Sequence, residues 1–330
     1  LLDLAIVIVN YNTRDLLRDC LASVYDSRGD FRFQVCVVDN CSSDGSAGMV
    51  RAEFPQAHVI ESPVNGGFAY ANNLGLRAFG FMDMGEEKKP EESTGANPSL
   101  ENPPSAAELP RYILLLNPDT VLPPYALAEM LAFMDAHPEA GASGPRLVLA
   151  DGSLDLACRR SFPTPEVAFY RLIGLSKLFP RSRRFGRYNL TYLDPDEVAE
   201  VDSVVGACMI IRREAIQQVG LLDETFWMYG EDLDWAYRMK RAGWKVFYNP
   251  EVTVLHYKEA ASRDDRVIRP KTRYEFYRAM YVFYRKHYAA TTPFWLGWLI
   301  VGGIILRGGM VMLKEVLKGG GKPLAREVVR

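Results

Sequence analysis

A chain of 330 residues, 48% hydrophobic and 24% charged, has the composition of an ordinary globular protein and the length for one large α/β domain plus an appendage. Its formal net charge of -2 argues against a nucleic-acid-binding protein, which would carry a basic excess. Five scattered cysteines (Cys20, Cys36, Cys41, Cys158, Cys208) with no C-x-x-C pair argue against a disulfide framework or a cysteine zinc site and point to a reducing compartment.

The first apolar β-branched run, Leu4–Val9, has no basic n-region or cleavage site before it, so no signal peptide is expected. Leu16, Leu17, Cys20, Leu21 and Val24 then recur at helical spacing behind Thr13, a candidate N-cap. Gln34–Val38 predicts a second strand, Ser42–Ser46 a turn capping another helix, and Val59-Ile60 a third strand. Asn65-Gly66-Gly67 opens a helix running to about Phe79, and the fully apolar Tyr112–Leu116 stops at Asn117-Pro118-Asp119. Short apolar runs alternating with helices predict a mainly parallel sheet covered on both faces, with ligands at the carboxyl ends of its strands. Residues 84–110 break the pattern; dominated by Glu, Lys, Pro, Ser and Asn, they read as a disordered polar insertion.

Farther on, Gly144–Leu149 and Ser203–Ile211 predict strands, and Glu231–Ala242 a helix stopped by Gly243. Lys245–Tyr248 and Thr253–Leu255 read as two short strands. From Tyr274 the chain turns helical and aromatic, and Pro293–Leu306 is almost purely apolar. The expected organisation is a sheet domain over residues 1–275 and a helical segment over 276–330. Basic residues gather in two places, at Arg181, Arg183, Arg184 and Arg187 and again along Arg263–Arg285.

Chemistry is expected where strands stop in polar residues: Asn10–Asn12, Asp39-Asn40, Asn65-Gly66-Gly67 and Asn117-Pro118-Asp119. A carboxylate at Asp39 can accept the N3–H of uracil or thymine, or it can cap its own turn. Asp119 ends the most hydrophobic strand, where its charge needs solvent, donors or a cation; a helix cap is the competing role. A divalent cation neutralising a diphosphate is held by one or two carboxylates plus phosphate oxygens. Glu231, Asp232 and Asp234 open a predicted helix, where the macrodipole favours acids and Asp234 stands four residues before Arg238. One of them aimed at the cleft could act as a general base, Asp232 pointing away from the other two. His256 follows the apolar run Val252–Leu255, as a ligand or as a satisfied structural histidine.

In this order, I-V-I-V-N-Y-N, V-V-D-N-C-S-S-D-G-S, N-G-G-F-A-Y-A-N-N-L-G, L-L-L-N-P-D-T, Y-G-E-D-L-D-W and L-H-Y resemble family 2 glycosyltransferases, and among them the bacterial rhamnosyltransferase-like members. The resemblance covers about Leu4 to Lys258. It implies a GT-A fold and an inverting displacement that moves a sugar from a dTDP- or UDP-sugar, rhamnose first, to a glycan or polyprenyl-linked acceptor in cell-envelope polysaccharide synthesis. It implies that Asn10 and Asn12 lie beside the nucleotide, that Asp39 pairs with its pyrimidine, and that Asn65, Gly66 and Gly67 approach the donor. It further implies Asp119 and His256 as ligands of Mg2+ or Mn2+ and Asp232 as the catalytic base. The first acid of the family's D-x-D motif is Asn117 here, leaving one carboxylate at that strand end and Asn117 free to contact donor sugar or ribose.

Two other classes share parts of this pattern. A sugar nucleotidyltransferase would carry a glycine- and basic-rich segment after the first strand, where Asn10-Tyr11-Asn12-Thr13 stands instead; a non-catalytic nucleotide-sugar-binding relative would have lost the base. The apolar run opened by Trp295 and Trp298 is interrupted by Arg307, short of the ~20 residues a span needs. It is therefore expected as an interfacial or re-entrant anchor at the cytoplasmic face of a membrane, with a single spanning helix next and a packed core helix third.

Overall fold

The fold is seen in a computed structural model, which describes residues 2–82, 109–258 and 268–318. The polar insertion expected over 84–110 falls almost wholly outside these residues; Leu109 and Pro110, its last two, are buried and lead into the sheet.

The first half follows the strand–helix alternation: β1 (Leu4–Asn10), α1 (Arg14–Tyr25), β2 (Phe33–Asp39), α2 (Ser46–Glu53), β3 (His58–Glu61), α3 (Phe68–Ala78) and β4 (Tyr112–Leu116). Its strands are short β-branched or apolar runs buried from both faces, all five side chains of β4 among them. After β4 come β5 (Thr120–Val121), α4 (Ala126–Ala136) and β6 (Ala140–Val148). An excursion with α5 (Pro165–Leu172) and α6 (Leu175–Leu178) follows, then β7 (Ala199–Val201), β8 (Cys208–Arg212), α7 (Arg213–Val219), α8 (Glu231–Arg241) and β9 (Lys245–His256).

One nine-stranded sheet results, in the order β3-β2-β1-β4-β8-β6-β9-β5 with β7 also on β9. From the pairings, β3, β2, β1, β4, β6 and β9 run one way, and β8, β5 and β7 run against them. The mainly parallel α/β architecture is therefore the observed one.

Two strand expectations change for identifiable reasons. The expected pair Lys245–Tyr248 and Thr253–Leu255 is one strand, β9, which jumps register against β6 between Pro145 and Arg146. Pro250, which has no N–H to give, sits in that irregularity. The strand expected from Ser203 begins only at Cys208, because Ser203 bridges to Arg160 and the Gly206 N–H turns to Asp232.

The last two helices are α9 (Ile268–His287) and α10 (Phe294–Lys318). The first straddles the 275/276 boundary and docks on the body: Ala279 and Phe283 close a small second core with Phe226 and Leu233. The second folds back along α9, with Gly297 against Tyr284 and Gly308 against Tyr277. Rather than stopping near Leu306, it continues through Arg307 and the glycines for 25 residues. Only 6% of its apolar stretch is buried, so it is not a core helix.

Candidate functional site

The register of β1 and β2 sets Asn10 directly beside Asp39 at the carboxyl rim. The Asn10 amide donates to Asp39 Oδ1 (3.0 Å) and Ser42 Oγ (3.1 Å), while its carbonyl accepts from the Thr13 hydroxyl at 2.6 Å. Thr13 does stand at the N-cap position of α1, but its side chain is spent on Asn10; Asp44 caps the helix from outside by accepting the Arg14 N–H at 2.8 Å. Asp39 Oδ2 accepts the Ser42 N–H at 2.9 Å, so the turn-capping role is real. Each carboxylate oxygen has a second lone pair, and capping does not use up its capacity. Asn12, in the left-handed region at φ 52, accepts from the Ser43 N–H at 2.8 Å and closes the same loop.

Asn40, one residue past Asp39, reaches across to the next loop. Its amide donates to Asn65 Oδ1 (3.0 Å) and the Gly67 carbonyl (3.3 Å), and its oxygen accepts the Gly66 N–H at 3.1 Å. The glycines here have a reason within the protein itself. A Cβ on Gly66 would lie 2.1 Å from the Tyr70 ring, and one on Gly67 would lie 2.2 Å from the Trp227 carbonyl oxygen, which accepts the Phe68 N–H. Gly67 also sits at φ 92. Gly67→Ala is therefore expected to cost more than the ~1–3 kcal/mol of left-handed strain alone. Gly45→Ala, at φ 82 with nothing within 4 Å, isolates that strain. Denaturant titration of both variants checks this; equal losses would mean Trp227 yields without cost.

Beside β1, β4 carries Asn117 and Asp119 to the same rim, with Ile8 paired to Leu116. The two-residue strand β5 then pairs Thr120 with His256, which brings Asp119 Oδ1 to 3.4 Å from His256 Nε2. The other ring nitrogen, Nδ1, lies 3.1 Å from Asp155 Oδ2, and Asp155 Oδ1 accepts from Lys258 at 2.7 Å. All three acid and imidazole side chains are buried. Burial opposes charge on His256, but Asp119 and Asp155 outweigh it and raise the imidazole to about 9. Because this folded value exceeds the ordinary one near 6.5, the charged ring stabilises the metal-free fold fully below pH ~6.5; that contribution fades as pH rises through about 9. Thermal melts in chelator across this window should fall more for the wild type than for His256→Gln; parallel slopes would contradict the charged ring.

The third group stands on α8. Asp232 Oδ2 accepts from the buried Arg160 guanidinium (2.7 Å) and the Gly206 N–H (3.1 Å), and Oδ1 accepts the Leu233 N–H at 2.7 Å. The neighbouring Ala207 carbonyl accepts the Asn117 N–H at 2.8 Å, so two backbone residues link Asp232 to the end of β4. Asp232 and Asp234 do point apart. Asp234 turns to the C-terminal helices, where His287 Nε2 (2.7 Å) and Lys286 Nζ (2.8 Å) of α9 join Arg238 on it. Burial disfavours its charge, yet the His287 hydrogen bond, Arg238 and Lys286 hold it down to about 2. Glu231 is the opposite case: burial and the Asp232 carboxylate push it well above the usual range, and its Oε2 is buried without a partner among the described residues. The chain enters α8 through Tyr229 at φ 70, a strained position, and Gly230 at φ 88, which glycine takes freely, and the pair aims this turn.

The structure thus sets Asn10, Asp39, Asn117 and Asp119 at the carboxyl ends of neighbouring strands, with Asn12, the Asn65–Gly67 loop, His256 and, from α8, Asp232 linked to them by the contacts above. It adds Asp155, Arg160, Gly206 and Trp227, which the sequence pattern does not single out, and gives Asn40, expected at a polar strand end without a role, the task of holding the Asn65–Gly67 loop. Arg160 and Asp155 lie in irregular chain, where no periodicity marks them.

A polar carboxyl rim on a mainly parallel sheet, with the reversed strand β8 beside β4, is the GT-A architecture of glycosyltransferases. The chain belongs to the glycosyltransferase-like family 2, whose model matches residues 3–274. It is 26% identical over 311 residues to an N-acetylglucosaminyl-diphospho-decaprenol L-rhamnosyltransferase of Mycobacterium tuberculosis, covering 94% of this chain and 92% of the relative. It is 25% identical to the low-salt glycan biosynthesis hexosyltransferase Agl10 of Haloferax volcanii, covering 88% of this chain and 75% of the relative. Among solved structures, the mannosyltransferase PcManGT of Pyrobaculum calidifontis, in complex with GDP-Man and Mn2+, superposes with a TM-score of 0.51 at 16% identity, over 97% of this chain and 76% of that one.

Proposed function

We propose that this glycosyltransferase inverts the anomeric centre while moving a sugar, foremost L-rhamnose from dTDP-rhamnose, onto a hydroxyl of a glycan or polyprenyl-linked acceptor in cell-envelope polysaccharide synthesis. The observation that carries the reading is the set of pairings and contacts that ties Asp39, the Asp119–His256 pair and, from α8, Asp232 to the carboxyl ends of the neighbouring strands β2, β1 and β4. The rhamnosyltransferase relative, aligned along nearly the whole chain, supports the sugar and the lipid-linked acceptor.

In this reading Asp39 accepts the pyrimidine N3–H, with Asn10 and Asn12 beside the nucleotide and Asn117 at the ribose or donor sugar. The Asn65-Gly66-Gly67 loop, held by Asn40 and Trp227, forms the donor wall. Asp119 and His256 suit Mg2+ or Mn2+. Asp155 fixes the imidazole through Nδ1 and leaves Nε2 toward Asp119, the carboxylate–histidine arrangement common behind metal ligands. Among the described residues no three such ligands cluster, which fits a cation completed by substrate phosphate rather than an all-protein cage. When bound, the cation would stabilise charge growing on the departing diphosphate. Asp232 draws the proton from the attacking acceptor hydroxyl.

For the organisation, we take the catalytic body to extend through α9, which Asp234 and the second core tie to α8. Helix α10 associates with the membrane at its cytoplasmic face, since its stretch Phe294–Lys314 is exposed, 21 residues long and apolar enough to cross.

Incubation of the full chain with dTDP-, UDP- and GDP-sugars, followed by released nucleotide and product anomer, tests the proposal. Slow hydrolysis or transfer from a dTDP- or UDP-sugar with inversion is expected. Preference for a GDP-sugar would remove Asp39 as the pyrimidine reader, and retention would remove the single displacement.

A further inference from the structure

Between Arg160, which holds Asp232, and β7 the chain leaves the sheet on an excursion that the proposed reaction does not use. It is ordered by its own contacts. Thr164 caps α5 at the Val167 N–H (3.3 Å), and the Phe185 ring packs on Tyr170 and Phe179 at centroid distances of 4.9 and 5.6 Å. Arg171 lies 4.2 Å over the Tyr188 ring. Asn189 donates to the Leu156 carbonyl at 2.8 Å, which ties the far end back to the body.

The apolar side of this excursion faces outward. Val167 and Tyr170 are buried, whereas Phe169, Leu172 and Ile173, which share the other face of α5 by helical spacing, are 53, 41 and 51% exposed. After the left-handed Gly174, Leu178 and Phe179 add further exposed apolar side chains, at 69 and 47% exposure. Exposed apolar side chains gathered on one excursion mark an interaction surface. Its rim is strongly basic. From Pro163 to Asn189 the chain carries Arg171, Lys177, Arg181, Arg183, Arg184 and Arg187 against a single acid, Glu166, which is itself paired with Arg184. Among the described residues no carboxylate pairs with Lys177, Arg181, Arg183 or Arg187.

Apolar side chains ringed by unpaired cations match one environment closely, the interface of an anionic bilayer, where the chains enter the acyl boundary and the cations meet phosphate headgroups. The position agrees. Phe162, at the root of the excursion, packs on Phe283 of α9 with ring centroids 6.5 Å apart. Phe283 in turn lies beside Tyr288, ring centroids 6.0 Å apart, at the corner where the chain turns toward α10. Excursion and entry to α10 therefore flank the same corner of the body.

We infer that the α5–α6 excursion is a second membrane contact, docking its Phe169–Phe179 face on an anionic leaflet beside α10. This rests on the reading of α10 as a membrane helix. A single interfacial attachment leaves the body free to swing, and a second holds the Asp232 side of the cleft at a set height over a lipid-linked acceptor. Each basic side chain near an anionic leaflet strengthens attachment roughly fivefold.

The test uses the full chain with Cys41→Ser and Leu178→Cys, labelled at the new thiol with the polarity-sensitive dye NBD. The protein is reconstituted into phosphatidylglycerol–phosphatidylcholine vesicles containing spin-labelled lipid. The same label on Phe169→Cys guards against a local fault at one position. Tryptophan emission, to which Trp295 and Trp298 contribute, reports separately on α10. A blue-shifted NBD emission quenched by the lipid, and lost both in pure phosphatidylcholine and with Arg181→Glu/Arg183→Glu, is the expected result. Dye left in water while tryptophan emission is quenched would overturn the second contact and leave the α10 anchor standing. No quenching of either would remove the anchor reading together with this one. A blue shift without lipid quenching would mean that protein, such as a second copy of the chain, covers the patch, and would overturn the proposal.

Discussion

Replacing Asp232 with Asn is expected to lower transfer by ~10²–10⁴-fold while nucleotide affinity stays within about twofold. Asparagine keeps the size of the side chain and an oxygen for the Arg160 and Gly206 donors, and gives up the acceptor for the Leu233 N–H at the start of α8. What it loses is the capacity to take a proton. Alanine would be a poorer probe, because it leaves the buried Arg160 charge without its partner, a loss of about 3–5 kcal/mol that mixes folding with catalysis. Single-turnover rates with a saturating donor, alongside nucleotide titrations, separate the two effects. A collapse of nucleotide affinity would move Asp232 to the donor side. Normal turnover would move the base to Glu231, whose raised carboxyl and buried, unpartnered oxygen leave it the next acid able to take a proton. Asp234 is a poor substitute, locked as it is among Arg238, Lys286 and His287.

The parts of this site that could be read from sequence are those fixed by short-range pattern. A strand buried on both faces is a run of apolar residues, and the polar residue that ends it has to stand at the rim. Asn10, Asp39, Asn117 and Asp119 were visible for that reason, and parallel register then sets Asn10 beside Asp39 without further information. Helical spacing likewise separated the direction of Asp232 from that of Glu231 and Asp234. The physical reason for a residue was harder to read than its presence. Gly66 and Gly67 looked like room for a donor, whereas the structure fills that room with Tyr70 and the Trp227 carbonyl. Thr13 looked like a helix cap and serves Asn10 instead.

Contacts between distant segments left no local trace. Arg160 meets Asp232 across 72 residues, and Asp155 meets His256 across 101, each from irregular chain where charge alone singles nothing out. The i,i+4 pair of Asp234 with Arg238 was legible; its bonds to Lys286 and His287 required knowing that α9 returns to α8. The same return seats α9, which leads by a short turn into α10, against the helix that carries Asp232.

Stripping divalent metal is expected to abolish turnover, Mg2+ or Mn2+ to restore it, and Asp119→Ala to behave like the stripped enzyme at any metal concentration. A diphosphate leaving from the anomeric carbon gathers charge that solvent reaches poorly in a buried rim, and a cation there is worth several kcal/mol, or about 10³-fold and more in rate. In the proposed site Asp119 and His256 would hold it, and phosphate oxygens would complete its coordination. The ion is therefore expected to bind weakly without nucleotide and to be readily chelated. Asp119→Ala leaves His256 still anchored on Asp155, so the imidazole stays in place and only the carboxylate is lost. Metal-dependent tightening of nucleotide binding should vanish in that variant, while metal-independent binding at Asp39 persists. Full turnover after exhaustive chelation would remove the metal role from Asp119 and His256 together. Their contact would then be an ion pair that closes the β5–β9 edge, and Asp119→Ala would show its loss in stability rather than in rate.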